Sequence, residues 1–212
     1  MKKEQKKIRQ LKRFLKHADQ YLINEFGAKE SPIVKEDIIQ NYRNLIPHIP
    51  DVGGRKNRLY PYLIQSAWAL SLYRALKKRG KSLEAINNLI QNSLKSSLYR
   101  IPVKIRHLIG RIRLSKWNIK KMKNAATTSQ ERKYIDDWVW DVVDSDGKTF
   151  DIGIDYSECA LVKFMHTQEA DELTPYLCET DYMVYKAFGI QLNRTKTLAT
   201  GCDKCNFRMK LN

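Results

Sequence analysis

The chain closes with "RTKTLATGCDKCNFRMKLN", which places Cys202 and Cys205 in a C-x-x-C spacing. With Cys159 and Cys178 upstream, four thiols are available for chemistry. Four cysteines can build a tetrahedral zinc site, but Cys159 and Cys178 lie 19 residues apart and supply no second knuckle. A redox C-x-x-C should open a helix after a strand, whereas this one sits in a turn between two predicted strands. A catalytic thiol and a small buried hydrophobe are the remaining readings. Acid–base partners lie close by. "CETDY" sets Glu179 and Asp181 beside Cys178. Cys178 and Asp181 are three apart and share a helix face, so the carboxylate can orient a base, bind a cation or hold a water. His166 is a lone histidine. Further on, Arg194 and Lys196 alternate with Thr195 and Thr197 on a predicted strand, with the cations on one side and the hydroxyls on the other. An arginine facing a pocket grips a carboxylate bidentately.

These residues must be held by an α+β framework. Ile8, Leu11, Leu15, Leu22 and Phe26 recur at helical intervals and Gly27 ends that helix. Ser31-Pro32 reads as an N-cap followed by proline at the first helical position, starting a second helix that stops near Pro47. "IPHIPDVGGRKNR" is a loop in which Gly53 and Gly54 can take positive φ. A long helix follows and ends at Gly80. Ser82 caps the next one, to about Leu98, and one or two basic amphipathic helices run to about Lys133. At Tyr134 the texture changes. "DWVWDVVDSDGKTFDIGIDY" alternates apolar and polar residues around the hairpin signal Asp146-Gly147. Helical periodicity returns over residues 157–188, with a break near Gln168. "IQLNRTKTLA" reads as a strand and "NFRMKL" as the last one. The expected fold is a helical N-terminal part (1–133) packed with a small antiparallel sheet formed by the C-terminal part (134–212), as one domain.

Composition narrows the classes. Hydrophobic residues make up 42% and charged residues 29%, which fits a folded chain rather than a disordered one. No run reaches the roughly 20 apolar residues that cross a bilayer. The basic N-terminus lacks the apolar region of a secretory signal. A cytoplasmic protein is expected, with cysteines kept as thiols. The net charge of +16 is concentrated in Lys2–Lys16 and Lys104–Lys123. It reads first as a solvated basic surface, without a specific nucleic-acid partner. No nucleophile elbow, zinc-protease helix, phosphate loop or dinucleotide fingerprint occurs.

Several blocks resemble the L-2-amino-thiazoline-4-carboxylic acid hydrolase family of bacteria: "IPDVGGRKNRL", "AWALSLYRALKKRGKSLEAI", "YSECALVKF", "ELTPYLCETDYMVYKAFGIQLNRTKTLATG" and "CNFRMK". Together they cover about residues 45–90 and 150–211. The resemblance implies a hydrolase acting on a C–N bond of a small cyclic amidine, in which water opens a 2-aminothiazoline ring and leaves N-carbamoyl-cysteine. Lys204 stands where the family often has a cysteine, so the matched thiols are Cys159, Cys178 and Cys205. The resemblance makes Cys178, Cys205 and Asp181 the catalytic candidates. Cys159, Arg194, Thr195, Thr197 and the loop residues Gly53, Gly54 and Asn57 are the substrate-binding candidates. The partner implied is a small heterocyclic substrate. No cofactor is expected, although these residue types leave room for a divalent metal, zinc or manganese. The ending "ATGCDKCNFRM" is also similar, more distantly, to the end of 4-vinyl-reductase-type small-molecule-binding domains. That likeness keeps open a non-catalytic sensing domain whose basic face meets nucleic acid or membrane.

Overall fold

Leucine and isoleucine recur at helical spacing through the first hundred residues, and in the computed structural model they form three helices. The structure describes residues 2–212, with side chains from Glu4 onward, so the side chains of Lys2 and Lys3 in the basic N-terminal run lie outside it. Contacts divide the chain into two compact units, one within Met1–Pro50 and Pro61–Arg100, the other within Asp51–Tyr60 and Ile101–Asn212.

The first unit is helical. Helix α1 (Lys2–Leu45) is kinked at Gly27, whose φ of 78° and ψ of 164° leave the helical region. The break expected at Gly27 is therefore present, but no loop follows. Glycine carries no Cβ penalty at positive φ, so the helix resumes at once. Ser31 is buried inside it rather than capping it, and Pro32 lies within the helix, just past the bend. Helix α2 (Tyr60–Lys77) ends before Gly80, which has φ 73°. Helix α3 (Leu83–Tyr99) opens on Ser82, whose Oγ accepts from the Ala85 amide at 3.2 Å. The core is aliphatic: Leu11, Leu22, Ile38 and Leu45 from α1, Leu63, Leu70 and Leu76 from α2, and Ile86 from α3 are all buried.

The second unit carries two more helices and the sheet. Helix α4 (Val103–Arg113) and helix α5 (Lys116–Gln130) are the basic pair, the latter capped by Ser115. Strands β1 (Val139–Asp144) and β2 (Ile152–Glu158) form the hairpin expected around Asp146-Gly147. The Asp146 carboxylate accepts the amides of Lys148, Thr149 and Phe150, which fixes the turn. Helices α6 (Ala160–Thr167) and α7 (Thr174–Ala187) follow, with the break at Gln168. Strand β3 (Ile190–Asn193) and strand β4 (Cys205–Leu211) complete an antiparallel sheet of order β1-β2-β4-β3. This is the expected α+β arrangement.

The strand reading of "IQLNRTKTLA" is too long. Pairing with β4 stops at Asn193↔Arg208. Beyond it the Asn206 side chain takes over: its Oδ1 accepts the amides of Thr195 at 3.0 Å and Lys196 at 2.6 Å. Side-chain bonds thus replace the ladder, and the two-residue alternation ends with it.

Residues directly paired across a sheet share a face. Trp140, Tyr156 and Cys205 therefore form one row, and Val142, Ile154 and Phe207 the next. This face is largely buried, with Val142 and Tyr156 part-exposed. Tyr185 of α7 reaches it, with its ring 6.3 Å from that of Phe207. The opposite face is polar: Asp155 receives Lys204 at 2.6 Å and Arg208 at 2.7 Å.

Candidate functional site

The turn Gly201–Lys204 delivers Cys205 as the first residue of β4, with its side chain on the buried sheet face. Its Sγ accepts the Leu198 amide at 3.2 Å and lies 3.5 Å from the Thr197 hydroxyl. Cys159 follows β2 directly and stands at the N-cap position of α6. The Leu161 and Val162 amides point toward its sulfur without closing a cap hydrogen bond, and the Trp138 indole N–H is directed at it. Cys178 comes from α7. Cys178 feels both Cys159 and Cys205, and Cys159 feels Cys205, so three separate elements bring these thiols to one place.

Burial dominates the electrostatics of Cys159 and Cys178. Loss of water pushes the Cys159 thiol up to about 11, and the neighbouring Cys205 adds to the shift. Cys178 rises to about 12, first by burial, then by Cys159 and Asp181, against the pull of Arg194. Both are neutral thiols at ordinary pH.

One turn along α7 from Cys178, Asp181 accepts Arg194 Nη1 at 2.9 Å. Arg194 Nη2 donates to the Cys178 carbonyl at 3.0 Å, and its guanidinium lies over the rings of Tyr182 and Phe207 at 5.1 and 5.0 Å. The Tyr182 hydroxyl donates to the Arg194 carbonyl at 2.8 Å. Only 5% of the Arg194 side chain is exposed, whereas Asp181 keeps 34%. Arg194 is thus held inside, and Asp181 is the more accessible member of the pair. The protein packed around Asp181 pushes its carboxyl up to about 6, overcoming the opposing effect of the arginine.

The loop Asp51–Tyr60 belongs to this unit. Asn57 Nδ2 donates to the Val52 carbonyl at 2.8 Å and to Asp137 at 2.7 Å, while its Oδ1 accepts the Leu59 amide at 2.8 Å. Asp137 in turn accepts the Trp138 amide at 2.7 Å. Burial raises the Asp137 carboxyl above its ordinary range, and its hydrogen bonds work in the other direction. Gly53, at φ 85°, packs against the Tyr134 ring, where a Cβ would sit 3.0 Å from Cε2. Gly54 also has positive φ, with open space around it. The loop therefore reaches Cys159 through Asp137 and Trp138.

Of the ten residues singled out in the sequence, Cys159, Cys178, Cys205, Asp181, Arg194 and Thr197 converge. Asn57, Gly53 and Gly54 stand one layer back. Thr195 does not join them: its hydroxyl accepts from Asn206 Nδ2 at 2.8 Å, and Asn206 leaves β4 on the face opposite Cys205. Cys202 is half-buried beside Thr200, outside the cluster. Lys204 turns to Asp155 on the outer face, so a side chain at that position points away from the thiols. Trp138, Asp137 and Tyr182 were not legible as site residues. "DDWVW" reads as strand texture, and "TDYMVY" as an ordinary helix. Among the described residues, no group of three or more histidine, cysteine or acidic side chains is arranged to hold a metal ion.

A family model for L-2-amino-thiazoline-4-carboxylic acid hydrolases matches residues 62–209, well over half of the chain. The match includes every residue of the thiol cluster and begins after the Gly53–Asn57 loop. No curated protein and no solved structure matches the chain.

Proposed function

Because this chain belongs to the L-2-amino-thiazoline-4-carboxylic acid hydrolase family, we propose that its thiol and carboxylate cluster hydrolyses a small cyclic amidine, with 2-aminothiazoline-4-carboxylate as the first substrate to test. The observation that carries this reading is the gathering of Cys159 and Cys205 around Cys178, one helical turn from the part-buried Asp181 carboxylate that Arg194 holds.

In that reaction water adds across the C=N bond at the amidine carbon. The tetrahedral carbon then collapses to a carbonyl, the ring carbon–sulfur bond breaks, and the sulfur leaves as a thiol. Asp181 suits the proton transfers. A carboxyl raised to about 6 is ionised at neutral pH, yet it is a stronger base than an ordinary carboxylate. It takes one proton from the attacking water and passes it to the ring nitrogen, then takes the remaining hydroxyl proton as the carbonyl forms and passes it to the departing ring sulfur, so both protons of the water are placed and the carboxylate is regenerated. In the resting site the carboxylate also meets an amidinium. Arg194 acts as a positioning residue that holds Asp181 and the Cys178 carbonyl.

A thiol held near 12 is a poor thiolate source, which favours Cys178 as the group that orients the water. Cys205, with the Leu198 amide and the Thr197 hydroxyl beside it, lies where donors meet charge that develops on the substrate. Cys159 and Trp138 form an adjoining wall.

The test is incubation with L-2-amino-thiazoline-4-carboxylate and related heterocycles, with and without divalent metal, following the new thiol by a chromogenic reagent and the product by mass. Ring opening is expected. Tight binding of these compounds without turnover would replace this reading with that of a small-molecule-binding domain.

A further inference from the structure

Helix α4 is packed the wrong way round for a helix facing water. Its buried side consists of Arg106 and Gly110: Arg106 Nε donates to the Ile101 carbonyl at 3.1 Å, and Gly110 lies against the Phe188 backbone. All its aliphatic residues but the part-buried Ile109 are exposed. Ile105, Leu108 and Ile112, at positions i, i+3 and i+7, form one stripe that is 48%, 56% and 50% exposed. Early in α5, Trp117 is 64% exposed, with the Lys121 ammonium 3.7 Å from its ring centroid. A solvent-facing helix normally shows the reverse pattern, and an exposed apolar stripe marks a surface that something covers.

The charge around the stripe specifies the occupant. Between Glu84 and Glu131 the sequence holds no acidic residue. Lys104 and Arg111 are exposed on α4 beside the stripe, and Lys116 and Lys120 are exposed at the start of α5. Nucleic acid would engage these cations but leave Ile105, Leu108 and Ile112 in water. A second copy of this chain would bring its own acid-free surface against this one. An anionic bilayer surface takes both components: hydrocarbon receives the aliphatic stripe and the indole, while headgroup phosphates and carboxylates receive the lysines and arginine, whose stems reach past the apolar residues.

We infer that the α4–α5 face is a peripheral docking surface for anionic lipid membranes. The helices lie in the interface and do not cross it; among the described residues, no helix is long and apolar enough to cross a membrane.

The test is co-sedimentation of the full chain with vesicles of phosphatidylcholine and phosphatidylserine, at roughly three parts to one, against phosphatidylcholine alone. The account expects at least about tenfold tighter binding to the anionic vesicles. Leu108→Ser with Ile112→Ser, and separately Lys104→Glu with Arg111→Glu, should each weaken it about tenfold or more. All four positions are exposed, and circular dichroism checks that the variants stay folded. Failure of the wild type to sediment with anionic vesicles overturns the inference. So does binding that the apolar double variant leaves intact, particularly with tight duplex DNA binding, which would assign the face to polyanions. A wild-type dimer that the apolar variant dissociates, with vesicle binding unchanged, would assign the stripe to self-association and also overturn it.

Discussion

Asp181 and Cys178 sit one helical turn apart, and burial drives both toward their neutral forms, with opposite consequences for chemistry. A carboxyl raised to about 6 is the base form only above that pH. The expected kcat/KM for ring opening therefore rises as pH increases through about 6 and then levels, and Asp181→Asn should remove that limb together with the activity. The thiols raised to about 11 and 12 stay protonated across the same range. Mass-mapped alkylation with iodoacetamide near neutral pH should therefore modify Cys159 and Cys178 far more slowly than Cys202, and alkylation of Cys178 at the Cys202 rate would contradict the assigned environment. The sequence spacing already placed Cys178 and Asp181 on one helix face. It could not foresee that Thr197 joins Arg194 while Thr195 faces away, because the strand alternation that would have kept the two threonines on one side ends at Asn193, where the Asn206 side chain takes over.

At the scale of elements, the helices and the hairpin were readable from periodicity and turn residues because both signals are local. What escaped are long-range polar ties, and the loop around Asn57 is the clearest case. Its paired glycines mark a turn, but nothing nearby in sequence points to Asp137, eighty residues on. Asn57→Ala removes three hydrogen bonds and leaves Asp137 with one fewer partner. The expected loss is about 1–3 kcal/mol of stability, measured by denaturant titration, with a fall in activity through Trp138 and Cys159. A second tie is steric. A Cβ on Gly110 would sit 2.0 Å from the Phe188 carbonyl oxygen at the end of α7. Gly110→Ala should therefore cost about 1–3 kcal/mol by overpacking, although alanine is the better helix former. A neutral or stabilising effect would show that α4 does not rest on α7 at this point.

For the whole molecule, a net charge of +16 over 212 residues sets up self-repulsion that works against the folded state. Raising salt from about 20 mM to about 300 mM shortens the screening length severalfold, so Tm should rise with potassium chloride, and a fall in Tm would mean that screened ion pairs outweigh the repulsion. The same charge was visible in the sequence, but its arrangement was not: periodicity identified a basic amphipathic stretch without revealing that α4 buries Arg106 and Gly110 and turns most of its aliphatic residues outward. The catalytic account is tested at this scale too, since one intact chain must bring β2, α7 and β4 together to act. The most direct measurement is the rate of ring opening of 2-aminothiazoline-4-carboxylate by the wild type and by Cys178→Ala, Cys205→Ala and Cys202→Ala, each checked for folding. The account expects the first two substitutions to lower the rate by about a hundredfold or more, and the third to leave it within about twofold because Cys202 lies outside the cluster. Equal loss in all three variants, or full activity without Cys178 and Cys205, would contradict it.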